Sequence, residues 1–132
     1  MDRRLKKIER ILAVQERLHQ LAEWKLARLD REGAELKSGQ ESLVDALNKD
    51  ETFHGLFVDA MARRLNALAK ESERVSRARE AQSRRLSEEG LRLRRTERIT
   101  ERVRREYLKS LGKRGFEELL DLIAGKDDAS LP

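Results

Sequence analysis

The amino-acid sequence predicts an all-α protein: an elongated antiparallel two-helix coiled coil with a short C-terminal helical tail. Apolar residues return at alternating steps of three and four, from Leu5, Ile8 and Leu12 to Leu26, Leu29, Leu36, Leu43 and Leu47. That is the pattern of a helix burying one narrow seam against another helix. The single proline is Pro132, so no earlier residue lacks the backbone N–H that a helix interior needs. Charged residues make up 42% of the 132 and aromatic residues only 4%, too polar a mixture for a thick core. The same periodicity argues against wholesale disorder.

Helix 1 is expected over about residues 3–47. With Leu5 at heptad position a, Leu12, Leu26 and Leu47 also fall at a, while Ile8, Ala22, Leu29, Leu36 and Leu43 fall at d. Glu9, Glu16, Glu23 and Asp30 then form an acidic column at e. Ser38 and Glu41 could make a capping box, but Leu29, Leu36 and Leu43 keep their spacing straight through it, and a real turn would lose that phase. A kink or frayed turn near Gly39 is allowed for, and the reversal is placed at about 48–54. There Asn48, Asp50, Glu51 and Thr52 supply turn and N-cap chemistry.

Helix 2 is expected over about 53–111. Val58, Met61, Leu65, Leu68, Val75, Leu86, Leu93, Val103 and Tyr107 follow a 3/4 stripe, interleaved with Ser72, Arg79, Gln82, Glu89, Thr96 and Thr100. A turn near residue 51 sets Gln82 opposite His19 and Arg79 near Glu23, so polar seam residues of both helices share a height and fix register at a cost in stability. A turn at Ser38-Gly39 would leave Leu86 to Tyr107 unpartnered. Gly112 and Gly115 are expected to act as a hinge, followed by a short amphipathic helix over 116–124 and a frayed tail from Gly125 to Pro132. This gives a hairpin over 1–111 and a separate segment over 112–132.

Most chemistry is excluded early. Without cysteine there are no disulfides or thiolate metal sites. His19 and His54 lie too far apart to share a metal, and His19 reads as a polar seam residue. No glycine arrangement cradles a phosphate, and a two-helix rod offers no pocket to dehydrate a carboxylate pair. No catalytic, cofactor-binding or metal-binding residue is assigned, and no enzyme activity is expected. No run approaches the roughly 18 apolar residues of a membrane span, so a cytoplasmic chain without membrane insertion is expected.

The formal net charge is +5, but acids and bases alternate along most of the chain. Glu73/Arg77, Glu80/Arg84, Glu88/Arg92 and Glu101/Arg105 have the favourable i, i+4 order, each contributing about 0.3–0.5 kcal/mol. Two clusters break the alternation: Arg3, Arg4, Lys6, Lys7 and Arg10, and Arg92, Arg94, Arg95, Arg98, Arg102, Arg104 and Arg105. The expected pairing lays the first opposite residues near 92–99, making one basic end. That end suits an acidic protein surface; a merely solvated charged end is the plain alternative. Nucleic acid is disfavoured, because only Tyr107 could stack there and no recognition motif is present.

Helix 1 carries surplus apolar surface. Ile11 and Leu18 at g and Val14 and Leu21 at c widen its apolar arc to about 160°, and Trp24 at f extends the edge. A returning tail or another copy would cover this face; otherwise it docks a different protein. At the turn, Phe53, His54, Leu56 and Phe57 are expected to close the hairpin against Leu43 and Leu47, although an exposed aromatic there would serve as a contact anchor. Trp24, Phe53 and Phe57 therefore join the two basic clusters as candidate partner-binding residues.

These features together resemble the FliJ family of flagellar type III export proteins and their counterparts in virulence secretion. The likeness runs from the basic start through a long helix, into Phe53-His-Gly-Leu-Phe-Val-Asp-Ala-Met-Ala-Arg-Arg-Leu65, and on to the Arg-rich stretch from Ala78 to Tyr107. The resemblance implies a cytoplasmic coiled coil similar to the central stalk of rotary ATPases, peripheral to a membrane-embedded export apparatus. It implies three kinds of partner: the flagellar export ATPase, the cytoplasmic part of the export gate membrane protein, and export chaperones. On this reading the ends Arg3 to Arg10 and Arg92 to Arg105 enter or abut the ATPase ring. A nucleic-acid-binding coiled coil and a generic structural oligomer are the alternatives.

Overall fold

The computed structural model describes residues 3–49 and 55–130, with side chains described to residue 125. It is all-helical among these residues: α1 spans Arg3–Lys49 and α2 spans Gly55–Ser130, and the two pack against each other. Most of the turn expected at 48–54, including Phe53 and His54, lies outside the described residues; Asn48 and Lys49 still belong to α1.

Both helices pass through every glycine that might have broken them. Gly39 stays inside α1, so the expected kink or frayed turn does not form, and Gly112 and Gly115 stay inside α2, so the expected hinge and separate helix over 116–124 do not form. No glycine adopts a positive φ, the conformation that a glycine C-cap uses to end a helix. A lone helical glycine costs about 1 kcal/mol relative to alanine. Strong helix formers such as Lys113, Arg114, Glu117, Glu118, Leu119 and Leu120 supply the offsetting preference on either side.

The chain divides into two compact units: residues 1–16 with 91–132, and residues 17–90. In the unit of residues 17–90, the a and d positions of α1, His19, Ala22, Leu26, Leu29, Gly33, Leu36, Gln40, Leu43 and Leu47, are all buried or half-buried. The matching residues of α2 are Met61, Leu65, Leu68, Ser72, Val75, Gln82, Leu86 and Glu89. Two expected members fall off the seam: Val58, 40% exposed near the start of α2, and Arg79. Val75 is 1% exposed and faces Gly33, whose missing side chain leaves its room: a Cβ placed there would meet Val75 Cγ1 at 3.7 Å.

In this unit partners on α2 fall as those on α1 rise. His19 lies against Gly90, Gln82 Nε2 donates to the Ala22 carbonyl at 3.2 Å, Arg79 pairs with Asp30, Arg74 with Glu32 at 3.6 Å, and Leu68 meets Gly39. Arg79 was expected near Glu23; it sits one heptad further on. The correction has a simple physical origin. A slip of one heptad keeps every a and d residue on the seam, and Glu23 and Asp30 occupy equivalent e positions. Periodicity therefore cannot choose between the two registers, whereas Gln82 against an alanine and Val75 against a glycine can. Arg74 also donates to Glu71 one turn back, and this bond holds the Glu71 carboxyl below its ordinary range.

The unit formed by residues 1–16 and 91–132 has its own seam. Leu5, Ile8, Leu12 and Gln15 of α1 share it with Leu93, Thr96, Thr100, Val103 and Tyr107 of α2. Val103 and Thr100 are 2% and 1% exposed. Threonine can be this deeply buried because its hydroxyl donates to the Thr96 carbonyl at 2.6 Å, satisfying the polar atom within its own helix.

Gly33→Ala and Gly39→Ala should each stabilise the protein by about 1 kcal/mol, since the new methyl meets its neighbours at ordinary contact distance and the helix propensity improves; thermal or urea unfolding reads this, and a loss would show that the helices approach more closely than described. A double-mutant cycle on Asp30 and Arg79 should give a coupling of about 0.2–1 kcal/mol, with none between Glu23 and Arg79.

Candidate functional site

The two basic clusters belong to one unit. Arg4 Nη1 lies 3.5 Å from Glu106 Oε2, and Arg104 Nε donates to Glu9 Oε1 at 3.2 Å. The α1 cluster thus faces the stretch near 104–106, beyond the expected 92–99. The consequence for the basic end is modest, because Arg104 and Glu106 of the same Arg-rich stretch meet it across the seam. Within residues 3–16 and 91–107 there are twelve basic and five acidic side chains, a surplus of seven, while the whole chain carries +5. All of the positive excess is therefore concentrated here.

The cations divide by what they touch. Arg104 and Arg4 are engaged across the seam with Glu9 and Glu106, and Arg105 pairs with Glu101 one turn back at 2.6 Å. Arg3, Lys6, Lys7, Arg10, Arg92, Arg94, Arg95, Arg98 and Arg102 are exposed. Arginine suits recognition of carboxylates, since its planar fork can engage both oxygens. The expected i, i+4 pairs are mixed in outcome: Glu73/Arg77 and Glu101/Arg105 form, whereas Glu80/Arg84 and Glu88/Arg92 are not among the ion pairs of the described residues.

The apolar candidates are uncovered. Ile11 and Val14 in one unit, and Leu18, Leu21 and Trp24 in the other, are each 40–57% exposed. Neither a folded-back tail nor any other described segment covers them. Trp24 carries Arg28 over its ring, the guanidinium carbon 5.7 Å from the centroid, a cation–π contact. Phe57 lies in the first turns of α2 at 45% exposure, and Leu56 is 83% exposed. Leu56 does not close the hairpin as expected, because at the start of α2 it falls outside the a/d stripe that begins at Met61.

His19 sits half-buried on the seam, its Nε2 2.9 Å from Glu23 and its Nδ1 without a partner. No group of three or more potential metal ligands occurs among the described residues, and no helix among them is long and apolar enough to cross a membrane. The amphipathic stretch expected as a separate helix over 116–124 instead continues α2, and every described residue from Leu108 to Gly125 is exposed. Its apolar residues include Leu111, Phe116, Leu119, Leu122 and Ile123.

No family model, curated protein or solved structure matches this chain. Its surface must therefore speak through its own chemistry.

Two solution tests follow. Trp24, the only tryptophan, should emit at long wavelength and be readily quenched by acrylamide; a blue-shifted, protected emission would mean that its face is covered. Reversing Arg94, Arg98 and Arg102 to Glu should leave helix content unchanged and thermal stability within about 0.5 kcal/mol, as for surface sites.

Proposed function

We propose that this protein is a non-enzymatic stalk or adaptor of a flagellar type III protein export apparatus, an antiparallel coiled coil that couples the export ATPase to the export gate and assists delivery of substrates or chaperones. The observation that carries the reading is the assembly of two sequence-distant basic clusters within one helical unit, joined by the Arg4–Glu106 and Arg104–Glu9 pairs. A basic end built on a helical seam can enter an acidic collar while the seam keeps its two strands together, and charge complementarity of this kind accelerates and orients docking. The sequence resemblance supplies the identity of the collar, a hexameric ATPase ring, and the cytoplasmic setting.

The division of the cations supports the same role. Arginines that bridge the seam hold the unit, and those directed outward, such as Arg94, Arg98 and Arg102, are available to a partner. The exposed Trp24 and Phe57 would supply apolar anchors for a second contact, with the export gate or a chaperone.

Co-purification with the export ATPase of the same organism tests the proposal. The wild-type chain should associate in a salt-sensitive manner, and Arg94→Glu with Arg98→Glu and Arg102→Glu should weaken association at least tenfold. Failure of the wild type to bind the ATPase, accompanied by tight binding to duplex DNA, would overturn the export reading in favour of a nucleic-acid-binding coiled coil.

A further inference from the structure

We propose, independently of the export reading, that residues 108–123 of α2 form a self-association surface that takes a second copy of this chain in antiparallel orientation. The α2 seam is covered by α1 through Thr96, Thr100, Val103 and Tyr107, and the outermost pair across it joins Arg4 to Glu106. Beyond that point α2 continues as helix while every described side chain is exposed. The apolar stripe does not end with its cover.

At 100° per residue, Leu108, Leu111, Phe116, Leu119, Leu122 and Ile123 fall within an arc of about 140°. Their exposures run from 43% to 68%. Gly112 and Gly115 lie in the same arc with open space above them, which allows a second helix to approach closely. The six side chains leave on the order of 600 Å² uncovered per copy, somewhat less than the ~800 Å² per partner of a standard interface, so a reversible dimer is expected.

Charge selects the occupant. Lys113 and Arg114 precede Glu117 and Glu118, so the signs reverse about a centre at residues 115–116. An antiparallel second copy centred on Phe116 sets Arg114 against Glu118 of the other copy, both on one flank of the apolar arc, and the two-fold axis repeats the pair. A parallel copy would align like charges. Within one helix these residues have a base preceding an acid by four, the weaker order, and none of the four is in an ion pair among the described residues. An anionic lipid surface fits less well, since Glu117, Glu118 and Asp121 occupy the polar side of the helix.

The full-length chain followed by sedimentation equilibrium across the micromolar range tests this. A monomer–dimer equilibrium is expected for the wild type, and Leu119→Asp should be monomeric with unchanged helix content. Arg114→Glu and Glu118→Arg should each weaken the dimer about tenfold, and the double reversal should restore it. A wild type that remains monomeric, a dimer indifferent to Leu119→Asp, or a double reversal no better than the single changes would overturn the proposal. So would a monomer that binds phosphatidylglycerol vesicles through Leu119, which would assign the surface to lipid.

Discussion

Everything in this protein depends on a seam only one or two side chains wide. The a and d residues of α1 are consistently the covered ones, and the helix carries no second buried layer beneath them. With so little apolar area, stability must come from close fit: Val75 over Gly33, Leu68 over Gly39, Gln82 against the Ala22 carbonyl. The few buried polar groups impose a register that leucines alone would leave free to slip.

In the unit of residues 1–16 and 91–132, a seam of its own sets the electrostatics. Because the seam aligns Arg4 with Glu106 and Glu9 with Arg104, two basic stretches separated by more than half the chain become one surface. Acids from each cluster partly neutralise the other's bases, which lowers the repulsion of gathering twelve cations within residues 3–16 and 91–107. What remains outward is arginine-rich and held on helical backbone. Such a surface is pre-organised for a carboxylate-bearing partner, and it loses little conformational freedom beyond its own side chains when it docks.

The sequence made the two helices and their buried faces plain because the 3/4 spacing of Leu5 to Leu47 leaves one solution for which side faces in. Even the polar seam members Gln82, Thr96 and Thr100 were legible by position. It could not place Arg79 opposite Asp30, since a heptad slip conserves every residue's face; only the size of what lies across from Val75 and Gln82 distinguishes the alternatives. It also overestimated the power of Gly112 and Gly115 to end α2. A glycine ends a helix by adopting a left-handed conformation at a cap, and here strong helix formers on both sides keep it in the helical one. That misreading set the amphipathic face of 116–124 apart as a separate helix instead of as the continuation of α2.

The central claim is that the register unites the two basic clusters into one partner-binding surface. Amide hydrogen exchange of the full-length chain, compared with and without the export ATPase hexamer, tests it most directly, because it locates the partner on the backbone without altering any side chain. Coordinated protection of residues 3–10 and 92–105 is expected on binding. Protection confined to one of the two clusters, or found only elsewhere on the helices, would contradict the account.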